Sequence, residues 1–527
     1  MIVSCTAALV MGVLSGCNAS PPGSPQVRDG GSETVDLPPP PPLELTWEPC
    51  GVRGMAGNAG QCATVQVPLS WDDPTGERVP TSVKRFHSTE MIAGHLWILI
   101  GGPGLSGDWL DNALPIFEAI APDFEVFMPS YRGTGSERLR CPDQETINGP
   151  GRTEIIGDEW GACAQTLEAQ WGDRLALFST DQTARDIGAL IDATSEPGVP
   201  VYIFAVSYGT ALALTYLHHF PEQPDGVILD SVLPLGTASF PLGFEDAHNR
   251  IARELMAECG RVEECSSRLG SDPWQSLVAA SESLDAGHCP GLSADGIDRG
   301  RFRQMLGYLL ERLDTRELIP ALVHRLTRCD ASDVAAIEWL SGIIPTLDDP
   351  GFFPPEARND SVVLRTQLIL SEFSTDPVPS SSAYEQALSG LHVAPNFGGE
   401  IANAASVWPS SGRQPSALTG CPATQVPLMV LSGGLDPQTP PWIADDFASC
   451  LQAPHQQLVR VPRACHDVLS SSPLASGGLT CGMRLTRDFL EDPTGSLDAT
   501  CASRAAPIDF RNEPSISMAL LGTADMW

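Results

Sequence analysis

Val201-Tyr202-Ile203-Phe204-Ala205-Val206-Ser207-Tyr208-Gly209-Thr210 is the stretch that decides the fold. The run Val201–Ala205 is apolar at every position, which predicts a strand covered on both faces rather than a half-exposed one. Gly209–Phe220 then reads as a helix. A strand that passes into a helix through a serine needs a sharp turn. Ala205 and Gly209, two positions either side of Ser207, are small enough to let that turn close with the Ser207 Oγ standing above the sheet. A serine between small residues is common in ordinary turns, so the buried strand before it carries the inference.

Working outward, the same alternation recurs. Strands are predicted at Ala63–Val67, Ser82–Phe86, Leu96–Ile100, Phe124–Met128, Val201–Ala205, Val227–Leu229, Leu428–Leu431 and Gln457–Val461. Helices are predicted between or after them at Thr183–Ala193, Gly209–Phe220, Pro441–Leu451 and Gly482–Leu490. This order implies an α/β fold with a mostly parallel central sheet. Residues 234–424 break the rhythm: they carry helical patterns, such as Phe244, Ala247, Ile251, Leu255 and Cys259 on one face, and no convincing parallel strand. We expect a largely helical cap inserted there, with 47–233 and 425–527 forming the sheet-bearing core.

A serine becomes a nucleophile only beside a base, and the base needs an acid to orient it. On this strand–turn–helix scaffold the chain order is Ser, then acid, then His. Leu428–Leu431 runs through Ser432-Gly433-Gly434-Leu435 into Asp436, just past the carboxyl end of a strand, where the functional groups of open α/β sheets gather. Asp445 and Asp446 fall inside the next helix and read as surface acids. Two histidines follow: His455 precedes the strand Gln457–Val461, on the wrong edge of the sheet, whereas His466 follows it on the correct edge. Ser207, Asp436 and His466 are therefore the expected catalytic residues. A developing oxyanion needs backbone N–H donors. The expected pair is Tyr208 and Gly102, the latter in the loop Gly101-Gly102-Pro103-Gly104 after Leu96–Ile100, where Pro103 has no N–H. That loop lacks the Gly-Lys-Ser/Thr ending or G-x-G-x-x-G spacing of a phosphate cradle. The chemistry needs no metal or cofactor.

These motifs, in this order, resemble the prolyl and tripeptidyl aminopeptidase-like serine peptidases of the α/β-hydrolase superfamily. Gly101-Gly102-Pro103-Gly104 is similar to the family's HGGPG loop, with Ile100 where His is usual. Arg132-Gly133-Thr134-Gly135 is similar to its R-G-x-G segment, with Ser130 in place of the usual Asp. Ser207-Tyr208-Gly209-Thr210 looks like its elbow, Asp436-Pro437-Gln438-Thr439-Pro440 like its acid segment, and Cys465-His466 stands where the family has Gly-His. The resemblance runs from about residue 47 to the end of the chain. It implies the α/β-hydrolase fold and release of residues from peptide N-termini, with cap acids holding the free amine. Glu245, Asp246, Glu254, Glu258, Glu263 and Glu264 lie in or just past the first cap helix, although a solvated helix face accounts for any one of them. The substrate class expected is a peptide. A carboxylesterase or other small-molecule hydrolase with the same triad is the alternative, since fold and triad do not fix the leaving group. A surface lipoprotein that kept only the scaffold is the third reading, against which the ordered Ser, Asp and His count.

Composition bounds the rest. Sixty-five acids against 31 bases leave a net charge of −34, which argues against nucleic-acid binding. Ile2–Leu14 is mostly apolar but too short to span a bilayer, and Leu14-Ser15-Gly16-Cys17 resembles a lipoprotein signal. In that family of signals cleavage precedes the cysteine and Cys17 carries the lipid, although no Lys or Arg precedes the apolar run. We therefore expect a leader at 1–17, a Pro-rich tether at 18–46 built around Pro38 to Pro42, and an exported, membrane-anchored domain. Fifteen cysteines suit an oxidising compartment. The sequence-local candidates are Cys50–Cys62, Cys141–Cys163 and Cys481–Cys501. Cys259, Cys265, Cys289 and Cys329 form a separate group, and an odd cysteine is left over. No Cys/His spacing suggests zinc.

Overall fold

One sheet of nine strands runs in the order β1-β2-β3-β5-β4-β6-β7-β8-β9. In chain order these are β1 (Glu48–Cys50), β2 (Gly60–Pro68), β3 (Arg78–Phe86), β4 (Gly94–Leu99), β5 (Phe124–Ser130), β6 (Val201–Val206), β7 (Gly226–Asp230), β8 (Leu428–Gly433) and β9 (Gln456–Val461). The computed structural model describes residues 42–527 apart from 53–58, 88–91, 147, 152–153, 238, 348–358, 414–417 and 512–513. The expected leader, Cys17 and most of the tether lie outside the described residues. The first strands pair antiparallel up to the β3–β5 contact, and every pairing from β5 through β9 is parallel. Each strand expected from sequence is present, and β1 is additional. Too short and polar to show a pattern, β1 is recruited by pairing with β2, where Cys50 and Cys62 join in a disulfide.

Every residue of β4, β7 and β8 is buried, which is why these strands read as continuous apolar runs. Alternate residues supply two separate core layers. Trp97, Leu99, Ile203 and Ala205 face one way, while Leu96, Ile98, Tyr202 and Phe204 face the other. The first layer is covered by the helices Thr180–Thr194 and Tyr208–His219, the second by Leu114–Ile120 and Cys481–Glu491. Ser179 and Thr480 start two of these helices, their hydroxyls accepting from the N–H of Gln182 and Met483 at 3.3 and 3.1 Å.

Among the described residues the chain between β7 and β8 forms helices and no strand, from Leu242–Gly260 to Gly398–Ala405. Ile251, Leu255, Leu277, Leu306, Leu322 and Ile337 give these helices an apolar cluster of their own. Ile508, Phe510, Leu520, Met526 and Trp527 join that cluster, so the end of the chain leaves the sheet it follows in sequence. Both sheet faces are already covered, and the helices offer the remaining apolar surface. Buried Arg325 secures the tail, donating from Nε to the Met526 carbonyl at 3.0 Å and from Nη1 to Asp333 at 3.0 Å.

Among the described residues six disulfides form: Cys50–Cys62, Cys141–Cys163, Cys259–Cys265, Cys289–Cys329, Cys421–Cys450 and Cys481–Cys501. Cys421–Cys450 spans β8, so its partners are neighbours only after the sheet forms. Cys465 is the unpaired thiol among the described residues and is buried.

Candidate active site

The turn after β6 is where the sheet puts its strain. Ser207 has φ +58° and ψ −128°, a conformation that costs an L-residue of order 1–3 kcal/mol and persists only where its surroundings impose it. Its N–H donates to the Asp230 carbonyl at 3.0 Å, and its own carbonyl accepts from Thr210 N–H at 2.8 Å and Thr210 Oγ1 at 2.6 Å. Gly209 explains how the helix can start so close to the strand. A Cβ there would lie 2.0 Å from the Leu99 carbonyl oxygen, so no side chain fits. Gly209→Ala is expected to cost about 1–3 kcal/mol or more through this clash, read as a lowered apparent Tm and reduced soluble yield.

The Gly101-Gly102 loop lies directly beside the serine: a Cβ on Gly101 would stand 3.0 Å from Ser207 Oγ. Gly102 has φ +119°, which favours glycine. Tyr208 is the first residue of its helix, so its N–H has no intrahelical acceptor. The arrangement thus presents amides of the kind an oxyanion requires.

Beyond β8, Asp436 is fully buried. Its Oδ1 accepts from the N–H of Gln438 and Thr439 at 2.9 and 3.0 Å, and its Oδ2 from Thr439 Oγ1 at 2.7 Å. His466 Nδ1 lies 2.9 Å from Oδ2 and 3.1 Å from Oδ1. Burial pushes the Asp436 carboxyl up, but the charge and hydrogen bond of His466, with the Thr439 bonds, outweigh it and hold the group below the usual carboxylate range. For His466, burial pulls the imidazole down while Asp436, then Asp230 and Asp467, lift it, to about 9. The pair is built to stabilise an imidazolium.

β7 lies between β6 and β8, which stand roughly 10 Å apart across the sheet. The loop after β9 that carries His466 folds back over the end of β7. Asp467 N–H donates to Ser231 Oγ at 3.1 Å, and Val468 and Leu469 N–H donate to the Asp230 carboxylate at 2.8 and 2.7 Å.

The rejected candidates lie elsewhere. His455 is exposed at the opposite strand end, its carbonyl accepting from Leu428 N–H at 2.9 Å. Asp445 and Asp446 are exposed, with Asp445 paired to Arg460. Of the cap acids, Glu245 is wholly buried but its oxygens are occupied by Tyr384 Oη at 2.8 Å and the N–H of Asn396 and Gly398 at 3.0 Å. Asp246, Glu254 and Glu263 are exposed, Glu264 pairs with Arg268, and Glu258 reaches Arg463 at 3.2 Å. Arg132 of the R-G-x-G segment is also structural. It is fully buried and holds Asp186 through Nε and Nη2 at 2.7 and 2.6 Å.

Sequence reasoning missed Thr439 as the support of Asp436, although its motif was in view. It also missed Glu372, a buried carboxyl of the helical insertion that accepts from Thr180 N–H at 2.9 Å and from Thr180 Oγ1. Thr180 Oγ1 lies 3.0 Å from Tyr208 Oη, so the helical insertion is tied through Thr180 to the residue after the serine. Burial, opposed by the Thr180 bonds, pushes Glu372 up to about 7.

A largely parallel sheet, a serine on a strained strand-to-helix turn and a histidine–carboxylate pair beyond later strands define the α/β-hydrolase class. Residues 94–267 match the family model described as alpha/beta hydrolase fold, and residues 394–501 the one described as TAP-like protein. The chain thus has the α/β-hydrolase fold and carries a segment similar to TAP-like proteins. It is 26% identical over 268 residues to the serine protease Hip1 of Mycobacterium tuberculosis, covering 46% of this chain and 49% of that one. Over 209 residues it is 30% identical to a tripeptidyl aminopeptidase of Streptomyces coelicolor, covering 36% of this chain and 38% of that one. The chain thus spans half or less of the length of the curated relatives it matches.

Proposed function

We propose that the protein is an exported serine aminopeptidase that releases N-terminal residues or short peptides through an acyl-enzyme on Ser207. The observation that carries this is the pairing of His466 with the buried Asp436, on a loop bonded to the same Asp230 whose carbonyl holds the N–H of a serine at positive φ. Likeness to Hip1 and to the tripeptidyl aminopeptidase supports a peptide as substrate.

In the first half-reaction Ser207 Oγ attacks the scissile carbonyl carbon and its proton passes to His466 Nε2. Asp436 holds the Nδ1–H and stabilises the imidazolium, and the amides of Tyr208 and Gly102 take the oxyanion. Collapse breaks the C–N bond, and His466 gives its proton to the departing amine. Water then attacks the acyl carbon, its proton going to His466. The ester C–O bond breaks, and the proton returns to Ser207.

Six disulfides support an oxidising compartment. Anchoring through a lipid on Cys17 belongs to the same proposal, and Cys17→Ala should move the protein from the membrane fraction to the soluble one. The decisive test is a panel of aminoacyl and tripeptidyl chromogenic amides, with free and acetylated N-termini, beside a p-nitrophenyl ester. Cleavage confined to free-amine peptides is expected. Ester turnover without peptide cleavage would leave the serine chemistry and move the function to a carboxylesterase.

A further inference from the structure

We propose that Asp230 is the positioning residue that fixes the base to the nucleophile, one residue clamping both, and that its carboxylate and that of the adjoining Asp467 also act on His466 through their charge. The inference rests on the serine-hydrolase reading above and extends it to two carboxylates outside the triad.

The geometry is specific. Asp230 is the last residue of β7 and fully buried. Its backbone carbonyl accepts the Ser207 N–H at 3.0 Å, while its carboxylate accepts Val468 and Leu469 N–H at 2.8 and 2.7 Å and Ser231 Oγ at 3.0 Å. The two amides lie two and three residues past His466 and open the short helix Val468–Ser471. A carboxylate taking two N–H groups at a helix start makes strong charge-assisted bonds. Ser231 adds a second tie, since its Oγ accepts the Asp467 N–H at 3.1 Å.

Backbone strain marks the same place. Six non-glycine residues among those described have positive φ, and three of them, Ser207, Ser231 and Asp467, belong to this hydrogen-bonded chain at +58°, +60° and +59°. Such strain gathers where surrounding bonds over-determine a functional geometry.

The clamp also carries charge. The titratable and charged groups facing His466 are Asp436 beyond β8, Asp230 at the end of β7 and Asp467 on its own loop. Behind Cys465 stands the buried Arg316 guanidinium from the helical insertion, which donates to the Arg463 carbonyl at 2.8 Å. Burial and then the charge of Asp467 push Asp230 up to about 7, against the pull of its three donors. Asp230 and Asp467 both raise the imidazole, so removing either charge lowers its affinity for a proton.

The test is the rate of covalent labelling by a fluorophosphonate across pH for the full chain, Asp230→Asn and Asp467→Asn. In the wild type the rate is expected to rise with pH as His466 loses its proton. Asn is well suited to the positive φ of residue 467, so Asp467→Asn keeps the turn. Its rising limb should move to lower pH by about one unit. Asp230→Asn should show the same displacement, with a plateau lowered on the order of 10- to 100-fold by the loosened loop. A purely structural clamp would lower the plateau and leave the limb in place. That outcome in both variants overturns the electrostatic part, and an unchanged plateau in Asp230→Asn overturns the positioning part. Should Asp230→Asn fail to fold, the positioning part stands confirmed only if Ser231→Ala, which removes the second tie, lowers the plateau; a Ser231→Ala plateau equal to wild type overturns it. Absence of wild-type labelling at every pH would instead overturn the serine-hydrolase reading itself.

Discussion

Ser207→Ala is expected to reduce kcat/KM on the order of 10⁴- to 10⁶-fold, with loss of fluorophosphonate labelling. Without Oγ there is no acyl-enzyme, and what survives is catalysis by any oxyanion donors and by binding alone. The substitution leaves φ +58° unfavourable, because alanine keeps a Cβ. Ser207→Gly should therefore be equally inactive but more stable than Ser207→Ala, by about 1 kcal/mol, seen as a higher apparent Tm. Retention of amide hydrolysis in either variant would refute the assignment of Ser207.

Asp436→Asn carries the second large effect, a loss of roughly 10⁴-fold in kcat. Asn offers one acceptor where the carboxylate serves Gln438, Thr439 and His466 together. It also donates an amide hydrogen toward Nδ1, selecting the wrong tautomer. The pH dependence gives a second readout. The free-enzyme imidazole must be neutral to accept the serine proton, so wild-type kcat/KM should rise through a value near the raised pKa of about 9. With Asp436 neutralised the largest lifting influence disappears and burial dominates, so the limb should move to lower pH while its height collapses. Stability runs in the opposite sense. His466 is raised above its unfolded value near 6.5, so its contribution to folding is full below that pH and is lost as pH climbs through about 9. A pH–rate profile with its limb unchanged in Asp436→Asn would remove Asp436 from this role.

The residues of the proposed triad were legible because each follows the end of a strand, and strand ends show in the hydrophobic pattern. Val201–Val206 and Leu428–Gly433 are buried runs bounded by small residues, so Ser207 and Asp436 could be placed to the residue. His466 was separable from His455 because strand direction alone decides which edge each one meets. Asp230 escapes the pattern because the apolar run ends at Leu229, and a terminal aspartate after Val-Ile-Leu looks like an ordinary strand stop. Thr439 stood inside a noticed motif, yet its role depends on a turn that returns its hydroxyl to Asp436 three residues back.

By itself the sequence determined what is encoded in local periodicity: the succession of strands and helices, the turn residue after β6, the helical insertion, and the Ser–Asp–His order along a parallel sheet. Apolar spacing and glycine size act within a few residues, so they can be read without the fold. The tertiary structure alone decided the Cys421–Cys450 bridge, the packing of the tail against the helical insertion, the burial of Glu245 within its own network, and the clamp of Asp230 between Ser207 and the His466 loop. Each joins segments far apart in the chain. Such contacts depend on which surfaces remain uncovered once the sheet has closed its layers, and no local pattern records that.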